Sequence, residues 1–225
     1  MDIEKFKKSS IGDLEHIQGQ DAFGRDYDHF AYVPHPLPSQ ITLKDSTWRL
    51  LADAMLQLGM LGGEGNRLPN PALIARPIIR AEAVSSSALE GTYTTLRQVL
   101  QSELFQESPS AEVTEVLDQI RAFELGVALM ADGKPLGVNL IKHLHGILMQ
   151  NDARCPAGDK GEFRKRQNFI GPHPRARIEE SFFVPPPPEY VVDSIHEWET
   201  WMHDPSAAHV LVRAAVAHYQ FETIH

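Results

Sequence analysis

Residues 207 to 225 read AAHVLVRAAVAHYQFETIH, a run of small and apolar residues that ends on His225. Val210, Ala214, Ala217, Phe221 and Ile224 recur at steps of three and four, which predicts a helix with one broad apolar face. Val212, Ala215 and Tyr219 carry apolar character round its other sides. A helix apolar on nearly every side is normally central and wrapped by others, so a mainly α fold follows from this stretch.

Working back toward the N-terminus, Pro188 opens a helix over about 189–202 with Val192, Ile195, Trp198 and either Trp201 or Met202 inward. Asp204-Pro205 leads from it into the terminal helix. Residues 139–149 form another, with Leu140, Leu144 and Ile147 or Leu148 facing in. His143 and His145 stand two apart, on different faces of that helix, which makes them a poor metal pair and suits surface or interhelical packing. Pro109-Ser110 starts a long helix with Val113, Val116, Leu117, Ile120, Phe123 and Val127 on one side, stopped by Ala131-Asp132-Gly133. Thr94 or Thr95 caps a shorter one through about Glu103.

Nearer the start, Asp45 or Ser46 caps a helix over about 47–61, with a stripe of Trp48, Leu51, Met55 and Leu58 and an end at Gly62-Gly63. After Asn70-Pro71, Pro77 interrupts a short turn, and a further helix runs over about 78–90. Residues 1 to 41 show no sustained period and end in Tyr-Val-Pro-His-Pro-Leu-Pro, which predicts an extended arm.

Composition narrows the function classes. The 225 residues are 42% hydrophobic and 23% charged, ordinary values for a globular chain. The net charge of -9 argues against a general nucleic-acid surface. No apolar run is long enough to span a membrane, and MDIEKFKKSSIGDLEH lacks the apolar core of a secretory signal. Cys155 is the only cysteine, so an intrachain disulfide is impossible, which suits a reducing, cytoplasmic setting.

Two local patterns stand out. In Ala83-Val-Ser-Ser-Ser-Ala-Leu-Glu-Gly91, the spacing Ser86-x-x-x-Glu90 puts a hydroxyl and a carboxylate on one helical face, and Gly91 suits a left-handed C-terminal position. A carboxylate in the last turn opposes the helix dipole, so an outside cation explains Glu90 better than its own helix does. From the spacing alone, a solvated pair is the simpler account. Residues 151 to 187 are the irregular, basic part, with β-prone runs at 168–170 and 182–184 flanking a Gly/Pro turn. They predict a small hairpin ringed by Arg164, Lys165, Arg166, Arg175 and Arg177; the simplest account is an exposed hairpin kept soluble by charge.

Together these segments resemble the Fic family over about residues 30–225. Ser86-x-x-x-Glu90-Gly91 fits the family's inhibitory motif, (Ser/Thr)-x-x-x-Glu-(Gly/Asn). Gly161-x-Phe-Arg, Gln167-Asn-Phe-Ile-Gly and Phe183-Val-Pro-Pro-Pro-Pro resemble the surroundings of the Fic flap. His218-Tyr-Gln-Phe-Glu-Thr-Ile-His225 resembles the entry to the signature His-Pro-Phe-x-Asp/Glu-Gly-Asn-Gly-Arg, of which His225 is the first residue. The resemblance implies a helical bundle with a small β-hairpin flap, in which residues 1–105 form an N-terminal region carrying the inhibitory helix and 106–225 an incomplete Fic core.

It implies, further, a protein adenylyltransferase that moves AMP from ATP, with Mg²⁺, to a Ser, Thr or Tyr hydroxyl of a protein, itself included. His225 would be the base, a task suited to imidazole. Ser86, Glu90 and Gly91 would be the inhibitory set, Glu90 pairing with the second signature arginine and obstructing the γ-phosphate. Arg164, Asn168, Phe169, Ile170, Gly171, Phe183 and Val184 would dock the target as an added strand. The phosphate loop, the metal carboxylate and that arginine all fall beyond residue 225, so metal ligands are not expected in this sequence and the chain as given is expected to be inactive. A homodimer is a further expected partner state. The alternative class is a non-catalytic binding or regulatory fragment of the same family.

Overall fold

Helix accounts for most of the regular structure, as the three-and-four spacing of apolar residues requires. The structure, a computed structural model, describes residues 1–105, 108–173 and 175–225. In chain order the elements are α1 (Ile3–Phe6), β1 (Gly12–Gln20), β2 (Asp26–Pro34), α2 (Asp45–Gly65), α3 (Ala72–Leu89), α4 (Leu96–Phe105), α5 (Ala111–Ala131), α6 (Val138–Leu148), a 3₁₀ turn (Ile178–Glu180), α7 (Pro188–His203) and α8 (Val210–Ile224). They fall into two compact units, residues 1–42 with 163–225, and residues 43–162.

In the first unit, β1 and β2 pair antiparallel from Gly12 opposite Pro34 to Gln20 opposite Asp26. The extended arm expected here is therefore a regular hairpin. Its turn is set by Asp21, whose carboxylate accepts from the Phe23 and Arg25 amides, an Asx-type closure. Ile17 and Ala31 point into a core shared with Ile178 and Val184, against which Tyr27 and Phe169 pack. The α7 residues Val191, Ile195, Trp198 and Trp201 are buried. Val191, not Val192, is thus the inward residue of its turn, and Trp201 rather than Met202 completes the stripe. Trp198 Nε1 donates to Ala217 O on α8 (2.8 Å).

α8 starts at Val210, the first residue of the apolar period, where the His209 ring accepts the Leu211 amide and caps it. Ala217 and Ile224 are buried, but so are Gln220 and Thr223, while Val210, Ala214 and Tyr219 are exposed. The buried face is rotated from the one predicted because polar side chains found acceptors there. Gln220 Nε2 donates to His35 O and Thr223 Oγ1 to Tyr219 O.

In the second unit, α3, α4 and α6 each pack on α5. Ala83, Val99, Val116 and Ile120 form its core. Phe123 and Val127, expected inside, are exposed. Thr95 is the cap of α4: its hydroxyl accepts the Gln98 amide while its own amide donates to Gln98 Oε1, a complete capping box. Asp118 is the buried charge that periodicity alone does not reveal. It is 1% exposed and accepts from Arg121, Gln150 Nε2 and Asn151 Nδ2 at 2.7–2.8 Å. These three donors offset its desolvation.

Two helix boundaries differ from the sequence expectation. α2 continues past Gly62-Gly63 to Gly65, and α3 begins at Ala72 with Pro77 inside it. A proline weakens a helix interior without forbidding it, and here the turn before Pro77 is held by the Asn70 and Pro71 carbonyls. Among the described residues no helix is long and apolar enough to cross a membrane.

Candidate active site

His225 closes α8. Its amide makes the last helical bond, to Phe221 O (2.9 Å), and its ring stacks on Phe221 with centroids 5.7 Å apart and planes 11° from parallel. Phe221 in turn leans on Trp198 at 5.6 Å. The imidazole is thus backed by an aromatic pair anchored on α7, and the residue remains exposed. An exposed imidazole on a rigid support can accept a proton from an incoming group.

The carbonyls at this helix end have no intrahelical donors, the usual condition of a C-terminus. Arg164 supplies them. Its Nη1 donates to Ile224 O (3.0 Å) and His225 O (3.5 Å), and its Nη2 to Pro186 O. Burial lowers its pKa to about 10, and its Nε is buried without a partner among the described residues. Asn168 Nδ2 also reaches His225 O, at 3.4 Å.

The segments expected to pair around the Gly/Pro turn meet in one antiparallel bridge, Ile170 with Phe183, rather than in a regular hairpin; Pro174 of that turn lies outside the described residues. The Ile170 amide donates to Phe183 O (2.9 Å) and the Phe182 amide to Ile170 O (2.7 Å). On its other side this strip is fixed to β2, because the Tyr32 amide donates to Val184 O (2.8 Å). Val184 is fully buried, whereas Ile170 and Phe182 are 60% and 63% exposed. The proline run after it has a plain role: Pro185 and Pro186 lack donors but offer carbonyls, which Gln167 Nε2 and Arg164 take up. Arg164, Asn168 and the bridge are thereby gathered at His225.

Four of the five basic residues expected to ring the flap have distinct surroundings. Arg164 turns inward to the α8 end, Arg177 engages Glu179 and the Asp26 carbonyl, and Lys165 and Arg166 line an open groove of about 660 Å³ with Glu15, Glu189 and Asp193.

Ser86, Glu90 and Gly91 lie in the second unit. Gly91 has φ +92° and completes a Schellman end, with the Thr92 amide on Ser87 O and the Gly91 amide on Ala88 O. α3 is fastened to α5 by Ser87, whose hydroxyl donates to Gln119 Oε1 (2.6 Å), and by Thr92, which donates to Glu115 Oε2 (2.5 Å). Ser86 instead donates to Glu82 Oε1 one turn back, at 3.1 Å. Glu90 is exposed and makes no ion pair among the described residues, so its carboxylate is open to a cation from outside its helix.

Gly161 of Gly161-x-Phe-Arg has φ +76°, and a Cβ there would meet Lys142 O at 3.0 Å. Its amide donates to His145 Nδ1 (3.1 Å), which gives that histidine a packing role, while His143 is exposed. Among the described residues no group of three or more His, Cys, Asp or Glu side chains could hold a metal ion.

Two family models match the chain: the Fic/DOC family N-terminal region over residues 48–128 and the Fic/DOC family over residues 135–225. Among solved structures, a Fic family protein from Desulfovibrio desulfuricans G20 matches with a TM-score of 0.63 at 21% identity, over 82% of this chain and 53% of that one. That likeness shows the fold, and the chain spans about half the length of this relative. Matched by models of one family on both sides of residue 130, the chain belongs to the Fic/DOC family.

Proposed function

We propose that this chain carries the proton acceptor and the inhibitory carboxylate of a protein adenylyltransferase that uses ATP and a hydroxyl-bearing protein. The observation that supports it is the seating of His225: an exposed imidazole stacked on Phe221, at a helix end held beside the Ile170–Phe183 bridge. In the reaction the acceptor oxygen forms a bond to the α-phosphorus, the bond from that phosphorus to the β-bridging oxygen breaks, and pyrophosphate leaves with the electron pair. The hydroxyl proton passes to His225. Ile170 and Phe182 offer apolar contact to a target backbone aligned along the flap, the added-strand mode. Glu90, exposed at the end of α3, is the brake that takes a signature arginine out of phosphate binding.

The test is a version continued from His225 through Pro-Phe-x-Asp/Glu-Gly-Asn-Gly-Arg, incubated with ATP labelled at the α-phosphate. Label should reach protein, Glu90→Gly should raise the yield, and His225→Ala should lower it by roughly 10² or more, the usual contribution of a general base. The 225-residue chain should transfer none. Absence of transfer from the extended Glu90→Gly protein would refute the reading, and undiminished transfer by His225→Ala would remove His225 as base.

A further inference from the structure

We propose that Arg164 is a positioning residue, whose guanidinium bridges the carbonyls of Ile224, His225 and Pro186 and so fixes where the His225 imidazole sits. The proposal rests on the reading of His225 as the base.

Stability alone is a poor reason for this arginine. It gives up hydration without an Asp or Glu partner among the described residues, and burying a charge is costly. What it gains is the negative end of α8: the last carbonyls of a helix carry its partial charge and lack donors. The fork matters as much as the charge. One guanidinium edge reaches α8 and the other reaches Pro186 in the buried stretch after the flap, a span suited to a planar group with five fixed donors and not to a single ammonium. Through Pro186 the clamp is continuous with Val184, which the Tyr32 amide ties to β2. The His225 main chain is thereby referenced to the flap on one side, while its ring is referenced to α7 through Phe221 and Trp198.

Histidine-labelled 225-residue protein tests this by NMR, with the His225 signals assigned from a His225→Gln variant. In the unsubstituted protein the His225 ring protons should be displaced by the current of the stacked Phe221 ring, and the Arg164 Nη protons should show cross-relaxation to the last turn of α8. In Arg164→Met and in Arg164→Lys the His225 ring protons should move to unstructured positions, and the amides of Phe221 to His225 should exchange roughly tenfold faster or more, as loss of charge-assisted bonds predicts.

Arg213→Met is the control, since Arg213 donates to Asp204 O near the start of α8; it should leave the His225 signals in place. A drop in melting temperature with unmoved His225 ring signals, or full rescue by lysine, would overturn the proposal. Should both Arg164 variants fail to fold, absent cross-relaxation from Arg164 Nη in the unsubstituted protein would overturn it as well. No nucleotide enters these measurements, so the clamp can fail while AMP transfer by the extended protein stands, and the reverse.

Discussion

His29 occupies an inward position of β2, 8% exposed, with Nε2 buried and unpartnered among the described residues. Desolvation, aided by the N-terminal ammonium, lowers its pKa below the usual 6.5, against smaller opposing effects of Glu179 and Asp28. Between that lowered value and 6.5 the unfolded chain binds more protons than the folded one, so stability rises with pH through this window. The stabilising effect of keeping the ring neutral is complete above 6.5 and is lost as pH falls toward the folded pKa. His29→Leu should flatten the dependence of Tm on pH as pH falls below 6.5, relative to the unsubstituted protein. Parallel curves would show that His29 protonates as easily folded as unfolded.

At this scale the sequence told apart some residues and not others. Gly91 was legible because a left-handed helix end all but requires glycine. The division of labour among three consecutive serines was not: only Ser87 points at α5, and that depends on the rotation of α3, which adjacent identical residues leave undetermined. Asp118 was hidden for a similar reason, since its partners Gln150 and Asn151 arrive from more than thirty positions away.

α3 shows what an element can tolerate. Pro77 lies beyond its first turn and is exposed, so it leaves the Leu73 carbonyl without its helical donor and contributes no buried ring in return. A proline inside a helix costs about 3 kcal/mol against alanine. Pro77→Ala should therefore stabilise the chain by about 2 kcal/mol, which raises Tm by roughly 4–8 °C at this size. An unchanged or lower Tm in thermal denaturation would mean that the turn before Pro77 adds nothing to the fold.

The helices were legible from their period and their caps; the β1–β2 hairpin was not. Its inward positions are filled by His29 and Ala31 beside Ile17, so the alternation of apolar and polar residues that marks a half-buried strand is absent. The available signal was the loop, Asp21 to Arg25 with Gly24 at φ +73°, a length and composition that join hairpins. The flap failed in the opposite sense. Its runs are β-prone, but Pro185 to Pro188 follow at once and cannot donate to a ladder, which leaves the single bridge at Ile170.

For the molecule as a whole, the uncovered apolar surface lies on α2 rather than at the α8 end. Ile224 is fully buried, whereas the predicted stripe of α2 is largely open: Trp48, Met55 and Leu58 are exposed and Leu51 is the one buried residue of the helix. Leu50, Leu56, Met60 and Leu61 are exposed on the other sides of the helix. Three stripe residues at roughly 100 Å² each come to about 300 Å² per copy, an ordinary patch for a monomer. Two copies would bury about 600 Å², the size of a weak contact rather than of a stable interface. At 25 cal/mol per Å² the gross gain is about 15 kcal/mol, against an association cost of roughly 4–15 kcal/mol plus side-chain ordering.

The net charge of -9 opposes this, but at about 0.15 M salt charges more than about 8 Å apart are largely screened, which leaves a small apolar surplus and weak association. The chain should form dimers that strengthen from 50 to 500 mM NaCl, read by sedimentation velocity over a range of protein concentrations. Met55→Glu with Leu58→Glu, on one face of α2, should return it to monomer without lowering Tm, because neither side chain is buried in the single chain. A monomer at every concentration and salt would sink self-association through α2. Dimers that persist in the double variant would move the interface to another surface.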